Sequence, residues 1–99
     1  MANATLVKDG RDAELYLEGR IDASSVLELE KILLNVGERF DNVTLDFQKV
    51  PFISSAGLRS LLKLYKLMRQ KGGSFHLRNV NDNVMEIFRL TGFTRLLEP

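Results

Sequence analysis

Cysteine is absent from this 99-residue chain. With it go disulfides, thiolate metal sites and thiol catalysis. Histidine occurs once, as His76 in Ser74-Phe75-His76-Leu77-Arg78. A serine nucleophile needs a base, usually histidine, and strand alternation turns His76 to the face opposite Phe75 and Leu77. One histidine without cysteine also makes a zinc site implausible. The phosphate-binding patterns Gly-x-x-x-x-Gly-Lys-Ser/Thr and Gly-x-Gly-x-x-Gly are missing, and Lys71-Gly72-Gly73 follows a helical pattern instead of opening one. These absences predict a protein with no catalytic residues, no metal and no cofactor.

Charge is missing too. Lysine plus arginine number 14 and aspartate plus glutamate 13, so the net charge is +1 and nothing suggests direct nucleic-acid binding. No stretch approaches the roughly 18 apolar residues of a membrane span, so no membrane insertion is expected. Met1-Ala2-Asn3-Ala4 leads into no apolar leader, which with the lack of cysteine points to a cytoplasmic protein.

What is present is the patterning of one α/β domain. Ala4 to Lys8 and Ala13 to Glu18 read as strands joined by the turn Asp9-Gly10-Arg11-Asp12, with Ala13, Leu15 and Leu17 on one face. Asp22 opens a helical pattern whose stripe is Val26, Leu29, Leu33 and Val36, with Gly37 as its stop. Asn42 to Phe47 is the next strand. A helix runs from the serines at 54 and 55 to about Lys71, a strand from Ser74 to Arg78, and a helix from an Asn81 cap to Gly92. Phe93 to Leu97 packs back as a short helix or strand. The order β-β-α-β-α-β-α implies parallel strand pairs joined by right-handed crossovers.

The segment Leu45-Asp46-Phe47-Gln48-Lys49-Val50-Pro51-Phe52-Ile53-Ser54-Ser55-Ala56-Gly57-Leu58 is the most informative. Two serines meet a helix start, and Ala56 and Gly57 add almost no bulk. Ser54 can simply be the N-cap, with Ser55 filling the first turn. A hydroxyl beside an uncrowded helix N-terminus is equally suited to carry a phosphate, because the free N–H groups and the dipole favour an anion. Gly57 costs roughly 1 kcal/mol against alanine in a helix, which suggests a close approach there. Asp22 is a plain N-cap or part of a site. Asp46 is a strand-end residue bonded to its turn, or it joins Asp22 and the serines in one acidic-hydroxyl patch at the end of the sheet. On the helix wheel Leu58, Leu61, Leu62, Tyr65 and Met68 form the core face. Leu67 falls among Arg59, Lys63, Lys66 and Gln70, with Leu64 on the flank. The pair Leu64 and Leu67 is either incidental or the apolar part of a partner surface.

Gly19-Arg20-Ile21-Asp22, Leu45-Asp46-Phe47, Phe52-Ile53-Ser54-Ser55-Ala56-Gly57-Leu58 and Ile87-Phe88-Arg89-Leu90-Thr91-Gly92-Phe93 together resemble the STAS domain, the family of bacterial anti-sigma factor antagonists. The resemblance covers nearly the whole chain. It implies a mixed sheet of four to five strands with helices mainly on one face. It also implies partner switching. The unmodified antagonist binds an anti-sigma factor that is also a serine kinase. Phosphorylation of the antagonist breaks that complex, and a serine phosphatase resets it. Counting back from Gly57, the family's phosphoacceptor falls on Ser55. Ser54 stands where the family has aspartate, which makes it a rival acceptor, and Ala56 stands where the family has a second hydroxyl residue. The partner surface implied is Asp22, Asp46, Ser54, Ser55, Ala56 and Gly57, with Leu64 and Leu67 beside them. The alternative role is a STAS subunit of a transporter or stress-sensing complex.

Overall fold

The computed structural model describes residues 3–97. The first two strands, β1 (Asn3–Asp9) and β2 (Asp12–Glu18), form an antiparallel hairpin closed by the Asp9–Asp12 pair. Gly10, first of the two loop residues, has φ +60°, a conformation that tight hairpin turns demand and glycine supplies freely. Helix α1 (Val26–Arg39) crosses to β3 (Asn42–Lys49), which lies parallel to β2, and α2 (Ser55–Lys71) crosses to β4 (Ser74–Arg78), parallel to β3. Helices α3 (Asp82–Thr91) and α4 (Thr94–Leu97) complete the chain, so the apolar piece after Gly92 ends as a helix.

The sheet order is β1-β2-β3-β4, the order of the sequence. Successive right-handed crossovers that step the same way along a sheet put their helices on the same face. Register then sorts the side chains. Leu6, Leu15, Leu45 and Leu77 lie in one row across the four strands and face the helices. The neighbouring row is Thr5, Tyr16, Asp46 and Arg78, and it faces away from them. The core beneath α1, α2 and α3 is closed by fully buried Leu33, Leu61, Phe47 and Phe88. The rings of Phe47 and Phe88 meet edge to face at 6.0 Å, which ties α3 to the central strand.

Two helix boundaries differ from the sequence reading. Residues 22–25 form a turn, in which the Asp22 carbonyl accepts from the Ser25 and Val26 amides, and α1 starts at Val26. At the other end, Gly37 does not stop α1. It is buried inside it, where a Cβ would come within 2.6 Å of Leu64 Cδ1 and 2.9 Å of Leu67 Cδ2. The missing side chain lets α2 pack closely against α1. The α1 carbonyls left over at its C-terminus are taken up by α2, whose Lys71 Nζ donates to Gly37 O at 2.8 Å and Phe40 O at 2.9 Å.

Helix α2 therefore buries two sides, one on the sheet and one on α1. Leu58, Leu61, Leu64 and Met68 are all buried, whereas Leu62, Tyr65 and Leu67 are only half-buried. Ser60, the polar member of the buried set, donates to Glu30 of α1 at 2.8 Å, and Lys63 pairs with the same carboxylate at 3.2 Å. Leu64 has 0% exposure, so it belongs to the helix–helix seam and not to a partner surface. A single-helix wheel cannot reveal this, because it does not know that a second helix lies on its flank.

Candidate functional site at the start of the second helix

An isolated parallel bridge between Ile21 and Ile53 builds the site. Both side chains are buried, and the backbone joins them through Ile21 N to Phe52 O at 3.0 Å and Ser54 N to Ile21 O at 2.8 Å. The next residue in each segment, Asp22 and Ser54, therefore emerges side by side at the same end of the sheet. The preceding pair is Arg20 and Phe52, and the Arg20 guanidinium sits 4.5 Å above the Phe52 ring, flanking the site. The sequence reading missed this pair. Aligning Gly19-Arg20-Ile21-Asp22 against Pro51-Phe52-Ile53-Ser54 as parallel segments was the signal for it.

The two serines do different work. Ser54 is the N-cap of α2, in extended conformation, and its Oγ accepts from the Gly57 amide at 3.2 Å. That satisfies one of the helix's free donors and commits the Ser54 oxygen. Ser55 is the first residue of the helix and is exposed, and its hydroxyl has no partner among the described residues. No acidic residue occupies the first turn of α2, so the helix supplies no acid of its own to the positive end of its dipole. Ala56 is half-buried beside Ser55. Gly57 is buried, and a Cβ on it would meet Ile21 Cγ2 and Ile53 Cγ1 at 2.7 Å. The close approach foreseen at Gly57 is thus made by the chain's own bridge, and Gly57 presents no surface to a partner.

Asp22 is half-buried, and its carboxylate accepts from Ser24 Oγ at 2.6 Å and the Ser24 amide at 3.0 Å. These two bonds hold its pKa below the ordinary aspartate range. It is not a helix N-cap, since α1 begins four residues later, but it does stand beside Ser54.

Asp46 departs from the expected patch. Alternation turns its side chain to the face away from α2, where it is 5% exposed. Arg78 Nε donates to it at 3.0 Å, Asn79 Nδ2 at 2.9 Å and the Gln48 amide at 2.9 Å. The same guanidinium reaches Glu14 at 2.7 Å and the Tyr16 hydroxyl at 3.0 Å, so Asp46 anchors a polar network across β2, β3 and β4. Burial pushes the Asp46 carboxyl up, but the Gln48 amide, Arg78 and Asn79 outweigh it and hold the pKa below the usual value. A depressed folded-state pKa means stability that is present above the unfolded aspartate pKa, about 3.9, and lost as pH falls through the lower folded value. Asp46→Asn should remove this part of the acid sensitivity. Acid-unfolding curves followed by circular dichroism should then show a shallower loss of stability below about pH 4 than wild type. Equal slopes would show that Asp46 does not carry it.

Next to Ser55 along α2 lies a groove of about 220 Å³ between α2 and the α3–α4 junction, with half-buried Leu62 at its opening, buried Leu58 and Phe93 at its floor and Arg59 at its side. Arg59 is exposed, lies four residues after Ser55 and has no ion pair among the described residues. Half-buried Leu67 sits further on, over Gly37. Among the described residues no three His, Cys, Asp or Glu side chains gather as a metal site, and no helix is long and apolar enough to cross a membrane.

Known proteins share this sequence pattern and this fold. The chain is 23% identical over 96 residues to the anti-sigma-B factor antagonist of Bacillus subtilis, covering 97% of this chain and 88% of that one. It is 36% identical over 80 residues to BtrV, a putative anti-sigma factor antagonist of Bordetella bronchiseptica, covering 78% and 67% respectively. Its fold superposes on unphosphorylated SpoIIAA, an anti-sigma factor antagonist, with a TM-score of 0.83 at 17% identity, over 97% of this chain and 86% of that one. The phosphorylated form of SpoIIAA superposes with a TM-score of 0.75 at 16% identity, over 97% and 89%. A family model described as the STAS domain matches residues 3–99, and the chain belongs to that family.

Proposed function

We propose that this protein is an anti-sigma factor antagonist whose grip on its partner is switched by a phosphate on Ser55. The observation that carries the reading is the division of labour between the serines: Ser54 is committed as the cap, while Ser55 offers a free, exposed hydroxyl at a helix start with no acid of its own. The names of the relatives supply the partner class, an anti-sigma factor. In this reading that partner is also the serine kinase, a serine phosphatase resets the switch, and the exchange takes place in the cytoplasm without contact to nucleic acid. The chain itself is a binding protein and not a catalyst. The surface it presents is Asp22, Ser54, Ser55 and Ala56, continued along α2 by Arg59 and the Leu58–Leu62–Phe93 groove, with Leu67 at its far edge.

Incubation with the cognate kinase and ATP, followed by mass-spectrometric mapping, should place phosphate on Ser55. Phosphate on Ser54 alone, or none, overturns the reading. Ser54→Ala sharpens the test. Loss of the cap should lower stability by about 0.5–2 kcal/mol in denaturant melts while phosphate still enters at Ser55. A Ser54→Ala protein of unchanged stability would contradict the cap.

A further inference from the structure

Only the flank of α1 approaches the β1 edge of the sheet. Strand β1 pairs with β2 alone, so its outer backbone groups are free among the described residues. Natural sheets guard such an edge with charge, proline or a bulge. The charges of β1, Lys8 and Asp9, stand at its turn end; Ala4-Thr5-Leu6-Val7 has none of these guards, and the pairing with β2 runs without irregularity from Asn3 to Asp9. Beside this edge, between β1 and α1, runs a groove of about 370 Å³. Its floor is Ala4, Leu6, Leu15 and Val36, and Ile32 of α1 stands at its wall with 40% exposure.

The rim of the groove is basic. Lys31 and Arg39 line it and no carboxylate does. Neither cation has an ion pair among the described residues: Arg39 only donates to Asn35 at 3.4 Å and lies 5.3 Å from the Phe40 ring. This charge selects between occupants. A second copy related by a two-fold axis perpendicular to the sheet, pairing β1 antiparallel with itself, would bring the two α1 helices together antiparallel and set Lys31 of one copy towards Arg39 of the other, a repulsive arrangement. An acidic segment meets complementary charge instead.

We propose that the β1 edge is a docking site for an extended, acidic segment of a partner protein, added to the sheet as a fifth strand. The seven residues of β1 span roughly 23 Å, enough for a segment of five to seven residues. Its backbone pairs with β1. On the face of the added strand that looks toward α1, a central apolar side chain falls into the groove against Leu6 and Ile32, and acidic side chains two residues to either side of it meet Lys31 and Arg39. The site is independent of Ser55 and remains free in either phosphorylation state of the switch.

The test uses the full chain labelled with ¹⁵N and two synthetic heptapeptides, Thr-Glu-Thr-Val-Thr-Glu-Thr, whose two acids and central valine share one face of a strand, and its counterpart with lysine at both acidic positions. The acidic peptide should shift amide resonances of β1 and slow their hydrogen exchange, and the basic peptide should not. The double variant Lys31→Glu/Arg39→Glu, whose substituted side chains are on the surface, should weaken the acidic peptide about tenfold. Ile32→Asp should also weaken it, with an unchanged melting temperature. Failure of the acidic peptide to bind, equal binding of the basic one, or slowed β1 exchange that grows with protein concentration without peptide overturns the proposal; the last result identifies a second copy as the occupant. Because no arm involves Ser55, none of these results bears on the phosphate switch.

Discussion

Ser55→Asp should keep its fold and lose its partner, whereas Ser55→Ala should bind the anti-sigma factor like wild type. The fold survives because the new charge sits at the first position of α2, whose first turn holds no other acid and where an acid contributes typically 0.3–1 kcal/mol. Binding fails for a different reason. In the complex Ser55 must be covered, and a charge buried at an interface without a partner costs on the order of 2–5 kcal/mol, or roughly thirtyfold to several thousandfold in affinity. Asp22, beside Ser54 on the bridged segments, adds repulsion for any acidic group there. Aspartate brings one charge and a phosphoserine about −1.5 to −2 near pH 7, so Ser55→Asp belongs at the lower end of that range and the phosphorylated protein at the upper end. Calorimetric titration of the wild type, both variants and the phosphorylated protein reads this directly. If Ser55→Asp and the phosphoprotein bind as tightly as Ser55→Ala, charge at this position is not the switch.

Much of this arrangement was legible in the sequence, and what was not has identifiable physical causes. Strands and helices were placed correctly wherever one periodic pattern met one neighbour: Ala13, Leu15 and Leu17 alternate into the core, and Val84 and Phe88 bury one face of α3. The caps Ser54 and Asn81 and the left-handed stops Gly72 and Gly92 are local chemistry, and each accounts for its own helix end. Errors arose where the deciding atom lies far away in the chain. Gly37 looks like a stop until α2 is laid against it, and Leu64 looks like surface until α1 is. Asp46 sits at the expected end of the expected strand, yet the residue that claims it, Arg78, lies in β4, 32 positions away, and alternation points both to the face without helices. The proximity of Asp22 to Ser54 was guessed from their strand-to-helix junctions. Its physical basis, the Ile21–Ile53 bridge, needs the register of two segments 32 positions apart, which shows only when Gly19-Arg20-Ile21-Asp22 is laid in parallel against Pro51-Phe52-Ile53-Ser54.

The seam between α1 and α2 offers the largest stability effect, and it also decides between two roles for one leucine. Leu64 is fully buried, and its Cδ1 would lie 2.6 Å from a Cβ at Gly37. Leu64→Ala should therefore cost about 2–5 kcal/mol, towards the upper part of that range because glycine opposite it has no side chain to move into the void. For a domain of this size each 1 kcal/mol shifts the melting temperature by about 4–8 °C, so the loss should be tens of degrees and a large share of a total stability of about 5–15 kcal/mol. A partner-surface leucine would behave in the opposite way, with an unchanged melt and weakened binding. Gly37→Ala alone sets two terms against each other: a gain of about 1 kcal/mol in helix propensity, and overpacking against Leu64 and Leu67 that costs typically 1–3 kcal/mol. In the Leu64→Ala background the new methyl enters the space that Leu64 has vacated, the overpacking falls, and the propensity gain remains. The double variant should thus be more stable than the sum of the single effects allows, with a coupling of about 0.5–3 kcal/mol. Thermal and denaturant melts of the four proteins measure that coupling, and additivity within about 0.5 kcal/mol would show that Gly37 and Leu64 do not share the seam.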